Sequence, residues 1–448
     1  MKQLNLLEDK VGKLFLKYLI PSVCATLVNS IYILADTVLI GRGVGAEGIA
    51  ALNLLLPLFS IFFGTGLLLG VGGGVLFSVA KGSGNEKRAR EYFTAASIMA
   101  VCFSAVYVAA FGLGFRPVMS FLGNNQEMAP LVESYGKILV GGAPVFLFSG
   151  FLQAFVRNDK APKLAMAAVI SGGISNVVLD YLLIFPMNKG MAGGAAATVM
   201  ASGITTLILL THFLSPANTM KFSGPVSFKT GGQIIANGAS SFLIEMSGGI
   251  VIFFFNRQLL SYIGNLGVVV YGIISNSALI VSSVSNGIAQ AAQPLMAVNY
   301  GAGNHKRIRE TKKYGLAAEA AAGVFFMMCG LLFPQVVTEL FVKPDAQILE
   351  LALPAVRMYF LSFLLVGANL FFSTYFQSVM QPVLALTACL ARGIVISGIL
   401  VFLLPALFGV SGIWMTMPLT ELVTLALCIL LNIRICESKT DIRKLQKM

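Results

Sequence analysis

Charge is scarce in this sequence. Acidic and basic residues together make up 11% of its 448 residues, less than half of the ~25% usual in a soluble domain. That shortage excludes a soluble enzyme and a disordered chain, because nothing in water would shelter the remaining apolar surface. There is one tryptophan and there are two histidines, His212 and His305, and no HExxH or GxSxG motif occurs, so a zinc or serine hydrolase has no visible machinery. The six cysteines, Cys24, Cys102, Cys329, Cys389, Cys428 and Cys436, are scattered without a CxxC pair. They read as small core residues rather than a disulfide framework or a metal site, and no cofactor is implied. What the chain does have is 57% hydrophobic residues and a mean hydropathy of +0.84, the composition of an integral membrane protein. Its net charge of +12 falls in short clusters between apolar runs, which is a topology signal and not a nucleic-acid surface.

At ~20 apolar residues per crossing, six spans are expected near residues 14–40, 49–80, 92–115, 135–156, 164–185 and 193–213. Six more follow near 232–260, 267–299, 315–335, 357–379, 384–407 and 412–432. The first run is too long for a signal-peptide core and is expected to stay in the protein. Twelve crossings put both termini on one side. With the termini inside, 23 basic residues fall on the inner side, Lys81, Lys87, Arg157 and Lys306 among them. Six lie on or near the other side: Arg42, Arg116, Lys189, Arg257, Lys343 and Arg357. The positive-inside rule then places both termini in the cytoplasm and the chain in the cytoplasmic membrane.

The loop after the second span reads GSGNEKRARE from Gly82, and the loop after the eighth reads GAGNHKRIRE from Gly301. Seven of the ten positions are identical, 219 residues apart. The same offset pairs Gly45 with Gly264 and Gly48 with Gly267, and Pro162 pairs with Pro382 at 220. This is an internal duplication. Each half has an even number of crossings, so the expected fold is all-α, with two parallel six-helix repeats related by a pseudo-two-fold axis along the membrane normal. The domains are then an N-terminal lobe (1–215), a cytoplasmic linker (216–231, with Pro216 and Pro225) and a C-terminal lobe (232–448). Gly66, Gly70, Gly72, Gly73 and Gly74 crowd the second span and point to close helix packing.

Asp36, Asp180 and Glu245 lie deep in apolar spans, where an ionised group costs ~3 kcal/mol or more. At 1.5 Å per residue Asp36 is roughly 28 Å beyond Lys17, and Asp180 roughly 26 Å beyond Lys163. Both reach the outer half of the bilayer. Asn176 shares a helix face with Asp180, and Thr198 on the next span returns to a similar depth. Two carboxylates, an amide and a hydroxyl in a low-dielectric pocket either share a proton or gather a small hard cation. Only the first half carries this set, since the positions matching Asp36, Asn176 and Asp180 are Phe255, Ile396 and Leu400. Glu319 and Glu421 read as shallower acids with a structural role, and Pro21 is a candidate kink below Asp36.

The duplicated six-helix half, the early Pro and Asp, the GxGN basic loops and the run FVRNDKAPKLAMAAVISGGISNVVLDYLLIF over residues 155–185 resemble the multidrug and toxic compound extrusion (MATE) family, in its bacterial multidrug branch. The resemblance implies a secondary antiporter that exchanges organic, mostly cationic compounds for sodium ions or protons. It implies that Asp36 is the coupling residue, with Tyr32 one turn earlier, and that Asn176, Asp180 and Thr198 complete the ion site. That set is a metal site only if the ion is sodium. Glu245 resembles an acid of the substrate cavity, whereas residues 362–380 lack the acid of a C-terminal cation site. The implied partners are small organic molecules and membrane lipids, and the chain is expected to act as a monomer. The rival readings are a lipid or glycan-lipid flippase of the wider superfamily, whose basic cavity would have only Arg392 as a candidate here, a membrane-embedded hydrolase, and a passive channel.

Overall fold

A computed structural model describes residues 5–121, 128–224 and 226–445. Lys2, Pro225 and the side chains of Cys436 and of the basic residues beyond Arg434 lie outside the described residues. The first half of the chain forms α1 (Val11–Gly43), α2 (Ala46–Gly82), α3 (Glu86–Leu113), α4 (Phe115–Phe121), α5 (Ala129–Gly141), α6 (Ala143–Asn158), α7 (Pro162–Ile184) and α8 (Gly190–Leu210). The second forms α9 (Phe228–Tyr262), α10 (Asn265–Gly301), α11 (His305–Leu332), α12 (Pro334–Glu339), α13 (Ala346–Phe360), α14 (Phe363–Ser378), α15 (Pro382–Leu390), a π-helical turn (Ala391–Ile396), α16 (Ser397–Phe408) and α17 (Val410–Leu445). Among the described residues there is no strand. Among the described residues ten helices are long and apolar enough to span a membrane, and two bent pairs, each taken as one span, bring the crossings to twelve.

The bent pairs are the fourth and tenth spans, expected as single helices. They turn by 51° between α5 and α6 and by 42° between α13 and α14. The first break falls at Gly142 just ahead of Pro144, which has no N–H to continue the ladder. The second falls at Ser362, whose hydroxyl donates to the Tyr359 carbonyl at 2.7 Å and competes with the backbone. Helices α3 and α11 start six and ten residues earlier than expected, at Glu86 and His305. Counting apolar residues misses these turns, because Lys, Arg and Glu are good helix formers and Asn85 caps α3 by accepting from the Arg88 N–H at 3.0 Å.

The duplication is visible in the backbone. Gly45 and Gly264 have φ of +99° and +78°, and Gly84 and Gly303 have +76° and +69°, which is left-handed space that only glycine enters freely. A short helix follows the third span in each half, with α4 and α12 starting 219 residues apart.

By their contacts the residues form two compact units. The first is Met1–Met246 with Gln290–Thr311 and Ser378–Met380, and the second is Ser247–Ala289, Lys312–Gln377 and Gln381–Met448. In the first unit the glycines of α2 serve as helix contacts. A Cβ on Gly66 would stand 2.3 Å from the Leu147 carbonyl oxygen of α6, and one on Gly70 would stand 2.8 Å from Phe151 Cα. Gly72 faces the other way, 2.4 Å from the Ile234 oxygen of α9 by the same measure. The ends of α2 and α10 cross reciprocally. A Cβ on Gly82 would lie 1.9 Å from the Val298 oxygen, and one on Gly301 1.9 Å from the Val79 oxygen. The adjacent basic loops are tethered as well. Arg88 donates to Gln233 of α9 at 3.1 Å, and Arg307 donates to the carbonyls of Leu6 and Asp9 at 3.0 and 2.7 Å. Arg157, counted above as a loop charge, is 4% exposed and bonded to Gln290 at 2.6 Å, because the last turn of α6 holds it inside the unit. The second unit packs round aromatic side chains. Phe255 stacks on Tyr271 at 4.8 Å, with Tyr359 edge-on to both.

Candidate ion and substrate site

The site lies in the first unit, where α1, α7 and α8 meet. Its closeness depends on Gly172 and Gly173. A Cβ on Gly172 would stand 1.9 Å from Thr205 Oγ1 of α8, and a Cβ on Gly173 2.8 Å from Val28 of α1. With α7 drawn against both neighbours, Asp36 of α1 and Asp180 of α7 come within hydrogen-bonding reach of each other. They are 8% and 0% exposed, and Asn176 is 1% exposed. Thr198 donates to the Gly194 carbonyl at 3.0 Å, so towards its other neighbours its oxygen acts as an acceptor. Tyr135 of α5 is hydrogen-bonded to Thr198 and interacts with both carboxyls and with Tyr32. The sequence reading missed Tyr135, because α5 is half of a bent span whose register the apolar count does not resolve.

Five buried atoms here have no hydrogen-bond partner among the described residues: Asp36 Oδ1, both carboxyl oxygens of Asp180, and Oδ1 and Nδ2 of Asn176. A buried polar group without a partner costs ~1–3 kcal/mol, and a charged one more. Two facing carboxylates also repel each other, since neither has a donor to offer the other. The arrangement calls for something small and positive between them. Among the described residues no three His, Cys, Asp or Glu side chains cluster as a metal site would require, so a bound cation would rely on Asn176, Thr198 and water for its remaining ligands.

Beside the acids is a cavity with about 30 Å³ of free volume, where one water needs ~10–15 Å³. Its polar wall includes Asn29, Tyr32, Gln153, Asn176, Thr198 and Thr205. Asn29 and Gln153 went unnoticed in the sequence, because one polar residue in a span carries no signal until its neighbours are known. Glu245 is not part of this wall. It packs over Gly64 of α2, whose Cβ would be 3.4 Å from Glu245 Cγ, and it acts on Tyr32 only through its charge.

In the second half the corresponding positions carry charge. Gly172 and Ser202 both line the cavity. At the offsets of the paired prolines (220) and of Gly193 and Gly412 (219), their counterparts are Arg392 and Glu421. These two form an ion pair at 2.8 Å, with Glu421 0% exposed and also bonded to Asn369 at 2.7 Å. Arg392 lies in the π-helical turn, an irregularity often found at functional sites. Glu421 is thus buried in α17, and Glu319, 2% exposed, is at the midpoint of α11. Glu319 therefore stands deeper in its helix than expected, because α11 starts ten residues earlier than expected.

One protein-family model, described as MatE, matches the chain twice, over residues 21–182 and 239–403. The chain belongs to the MatE family. This MatE chain is accordingly a multi-pass transporter and not an enzyme. It is similar to the multidrug export protein MepA of Staphylococcus haemolyticus (strain JCSC1435), with 26% identity over 433 residues and 95% of both chains covered. The similarity to MepA of Staphylococcus aureus (strain MRSA252) is 26% over 422 residues and 92% of both. Its fold is that of a multidrug resistance MATE family transporter of the MOP superfamily solved in an outward-facing conformation, at a TM-score of 0.92 and 22% identity, covering 98% of this chain and 99% of that one. A MOP superfamily transporter from Pyrococcus furiosus Vc1 (DSM3638) superposes with a TM-score of 0.91 at 21% identity, covering 98% and 99%.

Proposed function

We propose that this MatE chain is a multidrug efflux antiporter of the cytoplasmic membrane, exchanging organic, mostly cationic compounds for protons or sodium ions, with both termini in the cytoplasm. The observation that carries the reading is the pair of buried carboxyls, Asp36 and Asp180, facing each other with three oxygens unpartnered among the described residues. One proton or one cation between them neutralises the pocket, and its departure recharges it. That is the property a coupling site needs, because binding of the ion and exposure of the pocket to water become mutually dependent. Asn176, Thr198 and Tyr32 link the acids to the adjoining cavity, so an organic cation seated there would compete with the ion for the same negative charge. The names of the Staphylococcus relatives support multidrug export as the task. The flippase reading is weakened by Arg392, whose charge is already taken by Glu421.

The test is efflux of a fluorescent organic cation from proteoliposomes holding the purified chain, with sodium and pH gradients imposed separately. Uphill export driven by one of the two is expected and names the ion. Export indifferent to both would overturn the antiport reading and leave a passive pathway.

A further inference from the structure

Glu319 takes no part in the site above, yet its surroundings in the second unit are just as specific. Helix α11 presents Gly315, Glu319 and Gly323, one turn apart, to α14. A Cβ on Gly315 would stand 2.0 Å from the Phe371 ring, and one on Gly323 2.8 Å from the Phe363 carbonyl oxygen. Between them the pattern inverts. The residue of α14 facing Glu319 is Gly367, where a Cβ would lie 2.2 Å from Glu319 Oε2 and 3.0 Å from Ser285 Oγ of α10. The carboxyl therefore occupies the space a side chain at 367 would take, inside a helix seam made of glycine and phenylalanine. It is 2% exposed, and among the described residues neither oxygen has a full hydrogen bond, although the Ser285 hydroxyl lies alongside. The groups facing it are Ser285 from α10 and Gly367 from α14. Neither carries a charge, and no charged side chain among the described residues acts on it.

An ionised carboxylate has nothing in this seam to stabilise it. A hard cation wants about six oxygens or more, and among the described residues the side-chain oxygens placed here are the two of Glu319 and that of Ser285. A proton is the one small cation that fits. We infer that Glu319 is a second, separate proton-binding site, loaded while the α11–α14 seam is closed and emptied when the seam parts and water reaches the carboxyl. Glycines on both sides of the seam suit it to small shear movements, because at Gly315, Gly323 and Gly367 the opposing group meets backbone and no two bulky side chains stand against each other. The site goes beyond the antiport reading and does not depend on it. Proton binding at Glu319 is measurable whether Asp36 and Asp180 use sodium, protons or neither.

The experiment is infrared difference spectroscopy of the full-length chain in lipid, titrated with pH in H₂O and in D₂O, following the C=O stretch of protonated carboxyls. The wild type is expected to show a band that shifts in D₂O and fades at alkaline pH. Glu319→Gln should lack it and take up about one proton fewer per chain over the titration, while Asp36→Asn with Asp180→Asn should keep it. If Glu319→Gln does not fold, Ser285→Ala serves instead, since loss of the neighbouring hydroxyl should move the same band without removing it. A spectrum identical in wild type and Glu319→Gln would overturn the assignment. So would a Glu319 band that neither exchanges in D₂O nor fades with pH, which would mark a permanently neutral structural acid. Failure of ion-driven efflux with the band present would sink the antiport reading alone.

Discussion

Asp36 and Asp180 are expected to behave as one group, because the two buried carboxyls lie within hydrogen-bonding reach of each other and three of their four oxygens have no partner among the described residues. Asp36→Asn is expected to lower ion-driven efflux at least tenfold, ~1.4 kcal/mol or more, with membrane insertion unchanged, as measured in proteoliposomes at matched protein content. Asp180→Asn should do the same, and the double variant should be no worse than the worse single one, because residues acting as a unit are strongly non-additive. Additive losses would mean two independent sites. Glu245 is outside the cavity wall but within electrostatic range of Tyr32. Glu245→Gln should therefore cost cationic compounds ~1 kcal/mol, roughly fivefold in export rate, and leave neutral compounds nearly unaffected. Equal losses for both would assign Glu245 to folding instead.

Among the elements, α2 is the most constrained, with one glycine face against α6 and another against α9. Gly66→Leu should lower the unfolding temperature in detergent by several degrees, since overpacking a well-filled contact costs ~1–3 kcal/mol. Gly82→Val and Gly301→Val strike the reciprocal crossing of α2 and α10 from opposite sides. Each places a carbon 1.9 Å from a carbonyl oxygen, so the two substitutions should be about equally destabilising in the same melt. A strong effect of one and none of the other would show that the crossing is not symmetric. The glycine crowding was legible in the sequence as a packing device. Which glycine meets which helix was not, because period and spacing give the face of a helix but not its neighbour. The bends at Gly142 and Ser362 and the π-helical turn at Arg392 also left no trace in an apolar count, which registers length and not direction.

For the molecule as a whole, the proposed orientation can be checked by labelling single cysteines in a background from which the six native ones have been removed. A cysteine at Lys87 or Lys306 should react only with reagent reaching the cytoplasmic face, and one at Arg116 only with reagent added outside. The reverse pattern would overturn the orientation read from the basic loops. The membrane class, the twelve crossings, the duplication and the confinement of the Asp36 set to one half were all determined by the amino-acid sequence. They depend on composition, on run length set by bilayer thickness and on identity at a fixed offset, which are properties of the chain taken in order. The contact between Asp36 and Asp180, the inclusion of Tyr135, the burial of Arg157, the pairing of Arg392 with Glu421 and the seating of Glu319 against Gly367 were decided only by the tertiary structure. Each joins residues from different helices, and no local pattern along a chain specifies which two buried faces come to share one small space.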